Sequence, residues 1–179
     1  VDAAARDVRS LEPVVNLDPG GVVPIKLSIT DGTDVRLARS ACFDTTLLAN
    51  NAGLTCFGTL FDAESEQIEA TMAINYLGTL KVMRAFTPQL KVRGNSAIVN
   101  ILTIAALASF PRLGGYCASK AEAHSMTEAL RAELKGYDIS VHSVFPGAVD
   151  ADMMRGLAVN KSSAEKVAMR ILDGIEAGK

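Results

Sequence analysis

The sequence predicts a doubly wound α/β domain, in which helices cover both faces of a parallel sheet. Three observations predict it. Apolar runs of strand length alternate with helical patterns, and turn signals such as Pro19-Gly20-Gly21 and Pro146-Gly147 lie between elements. The 179 residues are enough for one core and too few for two comfortable domains. We therefore expect a single domain over residues 1–179, with parallel strands because helices separate them.

Four apolar runs have the length and composition of buried strands. They are VVPIKLSI at 22–29, TTLLAN at 45–50, SAIVNILT at 96–103 and ISVHSVF at 139–145. Sheets of this kind bind their ligands beyond the carboxyl ends of the strands. We therefore expect the functional site near those ends, which are Ser28, Asn50, Thr103 and Phe145.

Helical patterns fill the segments between and after these runs, at residues 31–41, 64–91, 115–135 and 162–177. In the second helix, apolar residues recur at helical spacing from Ile68 to Met83, and Pro88 should bend its end. The helices between strands provide the crossover connections that parallel strands require.

Composition and charge exclude several classes of function. The formal net charge is -2 and the basic residues are scattered, so no nucleic-acid partner is expected. The most apolar stretch, 96–111, is shorter than the roughly 20 residues of a membrane span. Cys42, Cys56 and Cys117 indicate neither a disulfide framework nor a zinc site, and we expect structural roles for His124 and His142 rather than metal binding. We expect no metal, no membrane, and a reducing cytoplasmic location.

Tyr116 and Lys120 lie one helical turn apart in the segment GGYCASKAE at 114–122. Residues at i and i+4 share a helix face, so the ammonium group could stabilise a phenolate. A tyrosine with an unperturbed pKa near 10 needs such help to act as an acid or base around neutral pH. By itself the pair also fits a surface helix with a packed tyrosine and a solvated lysine, which is the commoner case.

Five segments carry a resemblance to a known family: NNAG (50–53), INYLGTL (74–80), IVNILTIAAL (98–107), YCASK (116–120) and PGAV (146–149). In order and spacing they resemble the landmarks of the short-chain dehydrogenase/reductase family over essentially the whole chain. The resemblance implies a Rossmann-like fold. It also implies an oxidoreductase that interconverts a carbonyl compound and an alcohol by hydride transfer with a nicotinamide cofactor.

The resemblance implies roles for four residues. Tyr116 would protonate the carbonyl oxygen and would act as the base in the reverse direction. Lys120 would lower the pKa of Tyr116 and bind the nicotinamide ribose. Thr103 stands where the family usually has serine, and its hydroxyl would polarise the substrate oxygen. Asn75 would hold a water that relays protons to Lys120, with a purely structural asparagine as the alternative.

The resemblance also implies a set of cofactor contacts along the strand ends. They are Arg6, Ser28, Ile29, Asn50, Ala52, Gly53, Tyr116, Lys120, Pro146, Gly147 and Val149. Arg6 would lie beside the 2′ group of the cofactor, and Ala5 rather than an acid precedes it. This favours NADP(H) over NAD(H), although a solvated surface arginine is the alternative.

The sequence departs from the family pattern at both ends. The Gly-rich phosphate loop would precede Val1, and relatives usually add a strand after Lys179. The resemblance therefore implies an incomplete domain that lacks the first βα unit and the last strand. Ser28, Ala151 and Leu102 replace a frequent Asp, Thr and Ser. A non-catalytic fragment or scaffold of the same family is consequently the alternative function.

The substrate is predictable only by class. A loop at 104–115 and a lid-like segment at 151–160 would shape the pocket. Five apolar residues in or beside these segments suggest an apolar aldehyde, ketone or secondary alcohol, unless they belong to the core. They are Leu102, Leu107, Phe110, Met153 and Met154. The resemblance also implies a homodimer or homotetramer that associates through the helices at 64–91 and 115–135.

Overall fold

Parallel strands form the centre of the structure, a computed structural model that describes residues 1–155 and 158–178. The strands are β1 (Asp2–Ala5), β2 (Val23–Lys26), β3 (Leu47–Asn50), β4 (Ser96–Ile101), β5 (Ile139–Val144), β6 (Val149–Asp150) and β7 (Ser162–Ser163). β3, β4 and β5 form one sheet in that order, whereas β1 with β2 and β6 with β7 form separate pairs. All of these pairings are parallel.

The helices are α1 (Glu12–Val15), α2 (Gly32–Ala41), α3 (Ser65–Met72), α4 (Thr79–Arg93), α5 (Gly114–Glu133) and α6 (Ala164–Glu176). A π-helical segment at Ala73–Gly78 joins α3 to α4, so the chain stays helical from α3 to the end of α4. Asp31 caps the N-terminus of α2, and its carboxylate accepts hydrogen bonds from the N–H groups of Thr33 and Asp34. No helix within 1–155 and 158–178 combines the length and apolar character of a membrane span.

Two clusters of buried side chains hold the helices on the strands. The first joins α4, β4 and β5 through Met83, Leu90, Ile98, Leu134, Ile139 and Val141. The second joins α2 to α4 through Val35, Ala38, Cys42, Val82 and Phe86, with side chains that follow or belong to β2 packed against it. Burying each large apolar side chain contributes about 1.5–3 kcal/mol. α4 belongs to both clusters and therefore connects the β1–β2 pair to the three-stranded sheet.

The predicted α/β class is confirmed, and so are the four predicted strands and four predicted helices. Each strand is shorter than its apolar run. The run at 22–29 ends as a strand at Lys26, because the N–H of Ser28 donates to the Asp34 carboxylate rather than to a neighbouring strand. The hydrophobic periodicity of the sequence does not predict β1, α1, β6 and β7. These elements are two to four residues long, and the DAAA of β1 has no β-branched or aromatic residue.

Candidate active site

The carboxyl ends of β3 and β4 meet at a pair of asparagines. Asn50 and Asn100 lie opposite each other in the ladder, and Asn50 Nδ2 donates to Asn100 Oδ1 at 2.8 Å. Asn100 Nδ2 donates in turn to Thr127 Oγ1 of α5, also at 2.8 Å. These bonds fix the strand ends to the helix that carries Tyr116 and Lys120. Sequence reasoning missed Asn100 as a site residue, although an amide inside an apolar run was a usable signal.

Lys120 is buried where α5 covers the end of β4. Only 5% of its surface is exposed, and Nζ donates to the main-chain oxygen of Ile101 at 2.9 Å. Burial lowers the pKa of Lys120 to about 8, because the ammonium form loses its hydration. The amine therefore changes its charge just above neutral pH.

The Tyr116 phenol lies one turn before Lys120 on α5 and is half-buried. Burial raises the pKa of this phenol, the Thr103 hydroxyl lowers it, the Cys117 thiol raises it, and the Thr55 hydroxyl lowers it. The net direction is upward. The Lys120 amine donates to Ile101, and the expected lowering of the Tyr116 pKa by Lys120 stays a prediction. The phenol keeps its proton at neutral pH.

Thr103 follows β4 and lies beside Tyr116, as its position at a strand end predicts. Its hydroxyl faces the phenol and lowers the pKa of Tyr116. The same oxygen accepts a long hydrogen bond, 3.3 Å, from the N–H of Ala105 and so caps a short 3-10 turn at Ile104–Ala106. The cap holds the hydroxyl at the end of β4.

Asn75 lies in the π-helical segment and is 2% exposed. Its Nδ2 donates to the Leu54 carbonyl at 2.8 Å and to Ser119 Oγ at 2.9 Å, while its Oδ1 accepts from the Leu54 N–H at 2.8 Å. Both amide donors are therefore used within the protein. The side chain clamps the segment after β3 onto α5, and its predicted water relay stays a prediction.

Ser119 connects this clamp to Tyr116, and sequence reasoning missed it. The side chain is 0% exposed. Its hydroxyl accepts from Asn75 and donates to the Tyr116 carbonyl at 2.7 Å. A serine three residues after a candidate catalytic tyrosine lies on the same helix face, which is the signal that could have found it.

Gly53 lies against both Asn75 and Lys120. A β-carbon at this position would lie 3.4 Å from Asn75 Oδ1 and 3.6 Å from Lys120 Nζ. The missing side chain lets the backbone after β3 approach the buried amine closely. The structure thus brings together Gly53, Asn75, Thr103, Tyr116 and Lys120, while Asn50 lies at the adjoining strand end and Ala52 is exposed.

The predicted contacts on β1 and β2 lie at a neighbouring pair of strand ends. Ala5 and Lys26 are opposite each other in the ladder, so Arg6 and Ser28 follow adjacent ends. Arg6 is exposed. Ile29 packs on the π-helical segment, since its Cγ1 would lie 2.8 Å from a β-carbon at Gly78. Ile29 thus connects these strand ends to the π-helical segment that carries Asn75.

The loop with Pro146, Gly147 and Val149 lies next to the end of β4. The N–H of Ile104 donates to the Pro146 carbonyl at 3.2 Å. A cavity of about 390 Å³ opens between this loop and α6, where Val167 and Ile171 line it. Its described lining includes neither Tyr116 nor Lys120. We therefore place the active site on the side-chain contacts around Tyr116 and not on this cavity.

The candidate substrate residues divide between core and surface. Leu102 is buried and belongs to the core, whereas Leu107, Phe110 and Met153 are exposed. The predicted lid at 151–160 includes positions 156 and 157, which lie outside the described residues. Among the residues that the structure describes, no group of three or more His, Cys, Asp or Glu could hold a metal ion. Cys42, Cys56 and Cys117 are free thiols.

The sequence and the fold both match known proteins. Residues 17–162 match the family model described as short chain dehydrogenase. The fold superposes on a short chain dehydrogenase from Burkholderia cenocepacia, crystallised with NADP, with a TM-score of 0.91 and 39% identity. That match covers 98% of this chain and 73% of the other.

Two curated relatives extend the comparison. The 2-(S)-hydroxypropyl-CoM dehydrogenase 3 of Xanthobacter autotrophicus is 28% identical over 169 residues, which are 91% of this chain and 66% of the relative. The NADPH-dependent 1-acyldihydroxyacetone phosphate reductase of Schizosaccharomyces pombe is 31% identical over 146 residues, 79% of this chain and 49% of the relative. The chain therefore spans about half to two thirds of the length of these relatives.

Proposed function

The chain belongs to the short chain dehydrogenase family, and on that premise we propose that it is an NADP(H)-dependent oxidoreductase that interconverts an apolar carbonyl compound and an alcohol. One observation carries the proposal. A phenol with a raised pKa, a hydroxyl and a buried amine meet where β4 ends and α5 begins, on Tyr116, Thr103 and Lys120. An acid, a polarising donor and a cation are the groups that carbonyl reduction requires.

The residues present fit a nicotinamide cofactor. The backbone at Gly53 approaches the Lys120 amine with no side chain between them, and an amine there can donate to ribose hydroxyls. The cofactor, when bound, would exchange a hydride with the carbonyl carbon. The residues that would hold it are Arg6, Ser28, Ile29, Asn50, Ala52, Gly53, Lys120, Pro146, Gly147 and Val149.

The proton would move through Tyr116. In the reductive direction the phenol donates its proton to the substrate oxygen, while the Thr103 hydroxyl donates a hydrogen bond to that same oxygen. Burial supports this role, because it raises the pKa of Tyr116 and keeps the proton on the phenol until the substrate oxygen becomes basic. In the oxidative direction the phenolate takes the alcohol proton, and the nearby Lys120 cation favours the phenolate. Asn75 would hold a water near Lys120 with its remaining acceptor capacity.

The preference for NADP(H) is supported by two kinds of observation. Arg6 is exposed at the end of β1, so its guanidinium group can reach a phosphate. The similar short chain dehydrogenase from Burkholderia cenocepacia was crystallised with NADP, and the reductase of Schizosaccharomyces pombe is NADPH-dependent by name. An apolar substrate is supported by the exposed side chains of Leu107, Phe110 and Met153.

We further propose that copies of the chain associate into a homodimer or homotetramer. The support is the exposed apolar side chains of Phe61, before α3, and of Leu77, in the π-helical segment. We also propose a cytoplasmic location, supported by three cysteines that are all free. Fractionation of cells that express a tagged full-length protein tests the proposed location. Recovery of the protein outside the cytoplasmic fraction would contradict it.

The test of the function replaces Tyr116 with phenylalanine in the purified full-length protein, with NADPH oxidation followed over a panel of apolar aldehydes and ketones. We expect Tyr116→Phe to lower kcat roughly 10²–10⁴-fold, which is the usual contribution of a positioned acid. Tyr137→Phe, at a half-exposed tyrosine beside Lys91, is the matched control and should keep the rate. An unchanged rate in Tyr116→Phe would contradict the mechanism, and a wild-type protein without turnover would favour the non-catalytic scaffold.

The same assay tests the cofactor preference. Arg6→Ala should lower kcat/KM for NADPH roughly tenfold and leave kcat/KM for NADH nearly unchanged, because only NADPH carries the 2′-phosphate. An equal decrease in kcat/KM for NADPH and NADH would show that Arg6 does not bind the 2′-phosphate. Arg9→Ala is the control, since Arg9 is an exposed arginine that pairs with Asp7.

A further inference from the structure

Thr55 lies in a short segment after β3 that packs along the beginning of α5. The N–H of Gly58 donates to the Arg112 carbonyl at 3.0 Å, just before α5 begins. Cys56 Sγ would lie 3.0 Å from a β-carbon at Gly115, which is closer than an ordinary van der Waals contact. The segment at 54–58 is therefore held against the turn of α5 that carries Tyr116.

Hydrogen bonds hold Thr55 in a fixed relation to the Tyr116 backbone. Leu54, its neighbour, is bound on both its N–H and its carbonyl by the Asn75 amide. Asn75 also donates to Ser119, whose hydroxyl donates to the Tyr116 carbonyl. A continuous series of bonds thus joins the residue before Thr55 to Tyr116, and Asn75 and Ser119 act as positioning residues.

The Thr55 hydroxyl is buried near the Tyr116 phenol without a hydrogen-bond partner among the described residues. Its Oγ1 is shielded from solvent and makes no hydrogen bond of good geometry with any residue in the described part of the chain. It nevertheless faces the phenol closely enough to lower the pKa of Tyr116. The two groups are thus near each other without being aligned as a hydrogen bond while the phenol is neutral. Because a shielded hydroxyl without a partner is costly, its position beside a titrating oxygen indicates a use.

We propose that Thr55 is a third hydroxyl of the active site and donates a hydrogen bond to the Tyr116 oxygen once this has passed its proton to the substrate oxygen. The bond is charge-assisted in the phenolate and weak in the neutral phenol. It therefore stabilises the state that follows proton transfer, while Thr103 is left to act on the substrate oxygen. This inference rests on the proposed role of Tyr116 as acid and base.

The experiment measures the ionisation of Tyr116 directly, by an NMR titration of the protein labelled at the ζ carbon of tyrosine. Tyr116→Phe assigns the Tyr116 signal, and Tyr76 and Tyr137 are internal references. Thr55→Val removes the hydroxyl at nearly constant volume, and Thr55→Ser retains it. The Cys117 thiol also acts on the phenol, and Cys56 and Lys120 are titratable residues on the segments packed around it; all variants leave these three unchanged.

We expect the phenolate fraction of Tyr116 at a given alkaline pH to fall roughly tenfold in Thr55→Val and to stay near wild type in Thr55→Ser. Equal titration curves in Thr55→Val and wild type, with an unchanged circular dichroism spectrum, would overturn the proposal. If Thr55→Val does not fold, Thr55→Ala removes the hydroxyl without adding a methyl group and gives the same comparison. The titration needs no turnover, so it can succeed or fail independently of the proposed oxidoreductase activity.

Kinetics with the active protein add a second readout. Thr55→Val should lower kcat with little change in KM, because the hydroxyl acts on the state after proton transfer and not on substrate binding. Thr55→Ser should restore kcat. A higher KM with unchanged kcat would instead make Thr55 a substrate-pocket residue and would overturn its assignment to the phenolate.

Discussion

Lys120 loses its hydration at the end of β4, and this burial governs both its charge and part of the stability of the protein. The amine has 5% of its surface exposed and one hydrogen bond, to the Ile101 carbonyl. Burial lowers the pKa of Lys120 to about 8 from 10.5. Below pH 8 the folded protein carries a buried cation that the unfolded chain would expose to water. Folding is therefore opposed by this residue at neutral pH and less opposed at higher pH.

The pH dependence of stability tests this account. Between about pH 8 and 10.5 the unfolded chain binds more protons at Lys120 than the folded protein, so the free energy of unfolding should rise with pH. Lys120 should contribute a gain of about 1.5 kcal/mol between pH 8 and 9.5, measured by urea unfolding as the difference between wild type and Lys120→Met. The raised pKa of Cys42, about 11, acts in the opposite direction within this window, and the raised pKa of Tyr116 does so at higher pH; both effects cancel in the difference between the two proteins.

Lys120→Met is the matched control, because it keeps the apolar stem and removes the titrating amine. The change in the free energy of unfolding between pH 8 and 9.5 should therefore lack the contribution of Lys120 in this variant. Parallel curves for wild type and Lys120→Met between pH 8 and 9.5 would show that the amine is not desolvated in the folded protein.

The π-helical segment is the element on which the site depends most. It places Asn75 against Leu54, and it packs Gly78 against Ile29 after β2. A β-carbon at Gly78 would lie 2.8 Å and 2.9 Å from Ile29 Cγ1 and Cδ1, and 3.1 Å from the Ala73 carbonyl oxygen. The close approach leaves no space for a methyl group, and one of the three contacts is backbone that cannot swing aside.

Gly78→Ala should therefore destabilise the protein by about 1–3 kcal/mol, even though alanine favours helix formation elsewhere. Urea unfolding measures the change. Gly136→Ala is the control, since nothing lies within 4 Å of a β-carbon there, and it should be neutral or slightly stabilising. Ile29→Ala should recover part of the loss in the double variant. A Gly78→Ala protein as stable as Gly136→Ala would contradict the packing described for this segment.

Elements with a long apolar pattern were predictable, and contacts that depend on distant chain segments were not. β4 is buried from Ser96 to Asn100, so its apolar run marks it clearly. The π-helical segment has ordinary helical spacing, and its distortion accompanies the capture of Asn75 by Leu54, 21 residues away. The spacing of Tyr116 and Lys120 pointed to these two residues, and the resemblance added the roles of Thr103 and Asn75. Ser119 and Thr55 were not predicted, because their contacts become visible only when the segment after β3 is placed on α5.

At the scale of the whole molecule, apolar side chains remain uncovered around the helices that carry the site. Leu60 is 66% exposed, Phe61 98% and Leu77 53%. Phe61 and Leu77 carry the association that we propose. Sedimentation equilibrium of the full-length protein should give twice or four times the monomer mass. Leu77→Asp should shift the equilibrium toward monomer, whereas Leu17→Asp, at an exposed leucine outside these helices, should not. A monomer at all concentrations would contradict the proposal.

The order of the strands in the central sheet has a consequence for synthesis on the ribosome. β4 pairs with β3, made earlier, and with β5, made later, and α5 with Tyr116 and Lys120 is the crossover between β4 and β5. While α5 is being synthesised, the nascent chain presents β4 with one edge unpaired and its apolar residues uncovered. We expect ribosome-associated chaperones to bind the chain at that stage and to release it when β5 emerges. The active site would thus form in one of the last steps of translation of this segment.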